Sequence, residues 1–254
     1  MGILEFLRSR GGESADKTKT QIARLAERAS DKRAQPYDRQ EAIHALIGMK
    51  SIDAAEPLLR RFTFSCEPSI TDREEKDLVF GAIVAAGAGI LPSLRAQVKK
   101  ADTVGWPLRI ARGVLDDDAY VTEVLEWLAP WDTEYAKFID PKLQILGALA
   151  EVQHEAIAPA VERFLEDVNE EARFNTVAAL FAQRAEGVSS ALLSALASDE
   201  SVRVRTRIAE ELLARQWPVP AEEHDRVRKG LPNGFSIDAE GRMSKRAVVD
   251  LPWL

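Results

Sequence analysis

Two interleaved ladders of helical segments run through the 254-residue chain with a shared spacing of 31 to 37 residues. In the first ladder, Ala54–Leu59, Gly89–Leu94, Tyr120–Leu125, Ala156–Val161 and Val188–Leu193 align as the starts of equivalent helices. Their markers, at 57, 92, 123, 159 and 191, are 35, 31, 36 and 32 residues apart. Three of the five markers are Pro57, Pro92 and Pro159, and proline suits a first helical turn because no intrahelical partner awaits its missing N–H. The second ladder pairs a first-turn position with an aliphatic residue seven places on: Arg39 with Leu46, Lys76 with Ile83, Leu108 with Leu115, Lys142 with Leu149, Arg173 with Leu180, and Arg205 with Leu212. Five of its six leading residues are basic, and each of the first five precedes its partner in the other ladder by 15 to 18 residues. Two ladders of one period predict paired helices, stacked so that neighbouring pairs share a core.

The local pattern agrees. Apolar residues recur three and four apart in Ile22, Leu25 and Ala29, in Ala42 and Leu46, in Ile145, Leu149 and Val152, and in Val177, Leu180 and Phe181. Breakers at Pro36, Pro68, Gly87, Gly105, Pro130, Pro141 and Pro218 limit the helices to about 10 to 18 residues. Strand-like alternation is confined to Phe235–Met243, where Gly241 suits a turn, so the expected class is all-α with a small C-terminal hairpin or cap. With 46% hydrophobic and 30% charged residues the chain can bury a real core. A single Cys66 excludes an intramolecular disulfide, and with the three dispersed histidines it leaves no metal site to expect; no cofactor is expected either. A reducing cytoplasm is the expected compartment.

The stretches Asp167–Leu180 (Asp-Val-Asn-Glu-Glu-Ala-Arg-Phe-Asn-Thr-Val-Ala-Ala-Leu) and Asp199–Arg205 running on to Leu212 resemble the first-helix pattern of the HEAT-repeat family. The resemblance covers about residues 37–216 and is loosest around 103–135, where Leu108 replaces the basic residue. It implies a right-handed α-α superhelix, a HEAT-like solenoid, whose second helices line a concave side. It implies no activity, because the family's shared residues are structural. The expected organisation is residues 1–12 as a short amphipathic helix (Ile3, Leu4, Phe6, Leu7) on a Gly11–Gly12 hinge, 13–230 as the solenoid, and 231–254 as a capping tail ending in Trp253. No transmembrane segment is expected, since Leu78–Leu94 is short, rich in Gly and Ala and followed by Arg95, while residues 1–12 are a candidate for weak contact with a membrane surface. Neither a secretory signal nor a myristoylation signal is read at the start.

The motifs of chemistry are missing: no phosphate loop, dinucleotide fingerprint, His-Glu-x-x-His or Gly-x-Ser-x-Gly occurs. Cys66 reads as a loop or packing cysteine, His44 as a partly buried packing residue, and Glu74–Glu75 and Glu170–Glu171 as first-turn acids favoured by the helix dipole. HEAT-like folds do include alkylpurine DNA glycosylases, which hold duplex DNA in a basic groove with aromatic and acidic residues at the lesion, and bilin lyases, for which nothing here marks a tetrapyrrole site. Trp106, Trp127, Trp131 and Tyr135 near Asp132 could imitate the glycosylase arrangement. Residues 101–200, however, hold 7 basic and 19 acidic side chains, a net −12 that repels phosphates where those aromatics lie. No nucleic-acid partner is therefore expected.

The aligned second helices point to proteins instead. Three residues after the markers stand Arg60, Arg95, Glu126, Glu162 and Ser194, with Arg61, Lys99 and Lys100 extending the basic end and Glu123 and Glu166 the acidic one. Stacked helices lie about 8 to 10 Å apart, close to the Debye length of about 8 Å at physiological salt, so neighbouring like charges reinforce one another. Ordinary solvated helix surface is the alternative. Trp127, one step round from Glu126, is a candidate interface anchor or a filler of an irregular junction. The expected activity is a non-catalytic protein-binding scaffold that meets its partner through Arg60, Arg61, Arg95, Lys99, Glu126, Trp127, Glu162 and Glu166.

Overall fold

The computed structural model describes residues 3–183, 187 and 189–246, with residues 3–15 described as helical backbone alone. Among them are thirteen α-helices, four short 3-10 segments and one two-stranded antiparallel sheet. No single helix there is long and apolar enough to cross a membrane. The chain divides into two compact units, residues 1–100 with 109–116, and residues 101–108 with 117–254.

In the first unit, α1 (Ile3–Ala29) packs on α2 (Pro36–Gly48), and α2 on α4 (Ser69–Ala86). Between them α3 (Ile52–Ala55) is capped by the Ser51 hydroxyl, which accepts from Ala54 N–H at 3.3 Å, and runs on as a 3-10 segment, Glu56–Thr63, led by Pro57. Gly87, at φ +79°, ends α4 in a conformation that L side chains rarely adopt, and α5 (Leu91–Val98) follows with Pro92 in its first turn. Ile43, Leu46, Leu58, Val79, Ile83, Ile90 and Leu94 form the core. The helix α6 (Gly105–Val114) contributes residues to each unit.

In the second unit come α7 (Asp117–Leu128), α8 (Asp140–Leu149), α9 (Ile157–Val161) with its 3-10 extension Glu162–Glu166, α10 (Glu170–Ala182), α11 (Ser190–Ser198), α12 (Val202–Arg215) and α13 (His224–Gly230). Asn169, Ser189 and Ser201 cap α10, α11 and α12 by accepting from N–H groups of the first turn. Alternate helices pack on one another: α8 on α10 and α10 on α12 among the second-ladder helices, Glu162–Glu166 on α11 among the first, and α13 on α11 beyond the ladder. The strands β1 (Phe235–Ile237) and β2 (Met243–Lys245) pair antiparallel with Ile237 opposite Met243, and β2 packs on α12 beneath the buried Met243.

Several expectations change. Rather than stopping at Gly11–Gly12, α1 continues to Ala29 as one helix. Each interior glycine costs about 1 kcal/mol relative to alanine, which strong helix formers on both sides can offset. Tyr120–Leu125 lies in the middle of α7, because Asp117 and Asp118 start that helix earlier, and Lys76 lies seven residues beyond the start of α4. Glu75 is therefore not a first-turn acid; it is buried. His44 is exposed rather than packed. The side chains of Ile3, Leu4, Phe6 and Leu7, and Trp253, lie outside the described residues.

Candidate interaction surface

Most of the basic ladder is buried and consumed by structure. Lys142 Nζ, wholly buried, donates to Asp167 Oδ2 at 2.6 Å and to the Asp132 carbonyl at 3.1 Å. Arg173 binds Asp199 through Nε at 2.8 Å and Nη2 at 3.1 Å, and its Nη1 reaches the Asp167 carbonyl at 2.8 Å. Burial would lower the Arg173 pKa, but the Asp199 contacts outweigh it and raise it. Arg205 Nη1 donates to the Gly230 carbonyl at 2.8 Å. Each contact reaches 25 or 26 residues forward, to the end of the partner helix of the same pair. Asp167 and Asp199 also accept from Asn169 N–H and Ser201 N–H, so the same carboxylates order the turn into the next helix.

In the first unit the corresponding reach, 27 residues from Arg39, ends on Cys66 Sγ at 3.1 Å rather than on a carboxylate. The negative charge comes instead from Glu75, bound by Arg39 Nε at 2.7 Å and by Arg61 Nε at 2.8 Å. Arg61 also binds Asp72 at 2.7 Å and Cys66 Sγ at 3.1 Å, and stacks over the Phe64 ring at 4.6 Å. Lys76 completes the cluster on Asp72 Oδ2 at 2.7 Å. The Glu75 hydrogen bond, partly opposed by burial, raises the Arg39 pKa. Burial would raise the Asp72 carboxyl, but hydrogen bonds from Lys76, Arg61 and Cys66 N–H together hold it well below the usual carboxylate range. At Cys66 burial wins over the nearby guanidiniums and pushes the thiol up, so Cys66 is a protonated packing group at neutral pH.

This geometry removes two residues from the expected surface. Arg61 is only 1% exposed and holds the buried cluster together, so it cannot meet a partner. Trp127 is 7% exposed, and its Nε1 donates to buried Glu123 Oε1 at 2.7 Å; it fills the α7 packing and is no exposed anchor, and Glu123 does not extend an acidic surface. Arg60, Arg95 and Lys99 are exposed on the first unit, and Glu126, Glu162 and Glu166 on the second. Within the second unit, Glu162 and Glu166 line a trough of about 780 Å³ together with Pro159, Val168, Ser194 and Glu200. Sequence reasoning missed the exposed Val168, since a helix-period search carries no signal for apolar residues in connecting segments; Tyr135, singled out beside Asp132, and Phe138 are exposed as well. No group of His, Cys, Asp and Glu that could hold a metal ion occurs among the described residues.

No family model matches the chain, and no curated protein or solved structure is significantly similar to it.

Proposed function

We propose that the helix pairs are HEAT-like repeats, stacked with a right hand as in that family, and that the chain is a non-catalytic scaffold working in the cytoplasm and binding another protein through the exposed charges of its second helices. One observation carries this reading: the basic ladder residues are largely spent on buried ion pairs, while other charged side chains of the second helices stay at the surface in each unit. Arg60, Arg95 and Lys99 face solvent in the first, and Glu126, Glu162 and Glu166 in the second. Exposed charge at such a surface raises encounter rates and excludes wrong partners more than it adds raw affinity. The protonated, buried Cys66 gives no support to nucleophilic chemistry. Net −12 over residues 101–200 counts against the glycosylase-type alternative.

Reversing two exposed charges, Arg60→Glu with Arg95→Glu, tests the proposal: capture of the native partner should fall while the melting temperature holds, and the loss should be larger at low salt. Equal capture by the variant would remove the first unit from the interface. Tight, salt-sensitive binding of duplex DNA in a gel shift would overturn the ranking in favour of a nucleic-acid function.

A further inference from the structure

We propose that the trough of the second unit, between Glu162–Glu166 and α11, docks a short Lys- and Arg-rich peptide segment of a partner protein. The proposal rests on the scaffold reading and adds the chemistry of what binds. At about 780 Å³ the trough falls in the size range of clefts that hold a ligand. Its lining is mixed: Pro159, Leu165, Val168 and Ala195 supply apolar surface, with Val168 55% exposed, while Glu162, Glu166 and Glu200 supply carboxylates open to water. Long basic side chains suit such a lining, because they lay apolar stems on apolar surface and keep their charged heads in water.

The charge balance points the same way. Two guanidiniums also line the trough, and both are engaged. Arg173 is held by Asp199 and the Asp167 carbonyl, and Arg163 donates to the Trp131 carbonyl at 2.8 Å while stacking over Phe164 at 4.5 Å. Glu162 and Glu166 make no ion pair among the described residues; Arg163, bound to a carbonyl, offsets one of them and Glu200 pairs with Arg173 at 3.5 Å, so the carboxylates of the lining stay in excess. The C-terminal end of α11, at Ser198, adds the negative partial charge of its last carbonyls.

A separate feature selects cationic side chains. Val168 N–H donates to the Thr133 carbonyl at 3.0 Å and so ties the 131–139 segment to the edge of the trough. That segment exposes Tyr135 to 82% and Phe138 to 64%. The Lys137 ammonium already lies 5.1 Å from the centre of the Phe138 ring. Exposed aromatic faces beside unbalanced carboxylates favour guanidinium and ammonium groups over acidic or purely apolar segments. Phosphate-bearing polymers are repelled by the same carboxylates.

The test uses the full chain and a fluorescein-labelled decapeptide of alternating Arg and Ala, followed by fluorescence anisotropy at low and high salt. Glu162→Gln with Glu166→Gln should weaken binding about tenfold, since each exposed ion pair is worth up to about 1 kcal/mol. Glu151→Gln with Glu155→Gln removes the same charge from exposed positions outside the trough and should change binding less than twofold. A benzoylphenylalanine placed in the peptide should crosslink to Glu162–Glu166 or α11. Equal weakening by both pairs would reduce the effect to general attraction to an acidic chain, and displacement of the peptide by equimolar spermine would make the site a polyamine trough. Loss of self-association in the trough variant would assign the face to a second copy. Each of these outcomes, or no saturable binding, overturns the proposal. If Arg60→Glu with Arg95→Glu abolishes native-partner capture while the trough variants leave peptide binding unchanged, the scaffold reading stands and the trough does not; if both are silent, both fall.

Discussion

Neutralising Glu75 isolates the energetics of the buried cluster. Its carboxylate is 1% exposed, and so are the guanidiniums of Arg39 and Arg61, which share its Oε2 at 2.7 and 2.8 Å. Glu75→Gln keeps the shape of the side chain and removes the charge. Arg61 retains Asp72 at 2.7 Å, but Arg39 is left with the Ala34 carbonyl and the Cys66 sulfur, and with no carboxylate. Stranding one buried cation costs about 3–5 kcal/mol. With a urea m value of about 2 kcal/mol/M, within the usual range for small proteins, the unfolding midpoint should fall by about 1.5–2.5 M. All the tryptophans of the described residues (Trp106, Trp127, Trp131, Trp217) belong to the second unit, so indole fluorescence follows that unit while far-UV circular dichroism follows both. The dichroism midpoint should shift whether or not the fluorescence midpoint follows it. Adding Arg39→Met removes the stranded cation and should restore much of the loss, a coupling of the kind that a double-mutant cycle measures. A shift below about 0.5 M in the single variant, or a double variant worse than the sum of its parts, would refute the electrostatic account.

Asp72 sets a pH dependence. Its folded pKa is depressed, so its contribution is fully present above the unfolded value of about 3.9 and is lost as pH falls below it towards the folded value; urea midpoints measured from pH 5 to pH 2 should fall less steeply for Asp72→Asn than for the parent. Cys66→Asp places a carboxylate where Asp167 and Asp199 stand in the second unit and balances a cluster of three cations and two carboxylates, so the variant should melt no lower than the parent; a drop of several degrees would show that Glu75 and Asp72 already satisfy both guanidiniums. Gly230→Ala should destabilise by more than the about 1 kcal/mol gap in helix propensity, since its Cβ would come within 2.4 Å of the Leu196 carbonyl oxygen and 2.5 Å of Ala197 Cα; an unchanged melting temperature would show that α13 can lift off α11 freely. Ala179→Asp buries an unpaired charge at a fully buried site of α10 and should cost several kcal/mol, whereas Ala178→Asp, only half-buried, should cost less; the reverse order would place the wrong face of α10 in the core.

The helices, their pairing and most of their breaks could be read from the sequence because each depends on local chemistry. Apolar spacing, first-turn prolines and Ser or Asn caps act within a few residues of where they stand. The repeated basic residue was legible as a pattern too, since a period of 31 to 37 survives in one dimension. Which charges reach solvent was not legible. Arg60 and Arg61 are adjacent in sequence and both basic, yet one is exposed and the other is locked between Glu75 and Asp72, 14 and 11 residues away. Trp127 and Glu126 divide in the same way between core and surface. The reason is that a 3-10 or α-helical segment turns successive side chains by about 100° to 120°, so the fate of a residue depends on the rotational setting of its helix against its neighbours. Packing sets that rotation, and charges in the interior are tolerated only where a partner distant in sequence arrives to pair them. Local sequence chose the helices; tertiary contact decided which of their charges reach solvent.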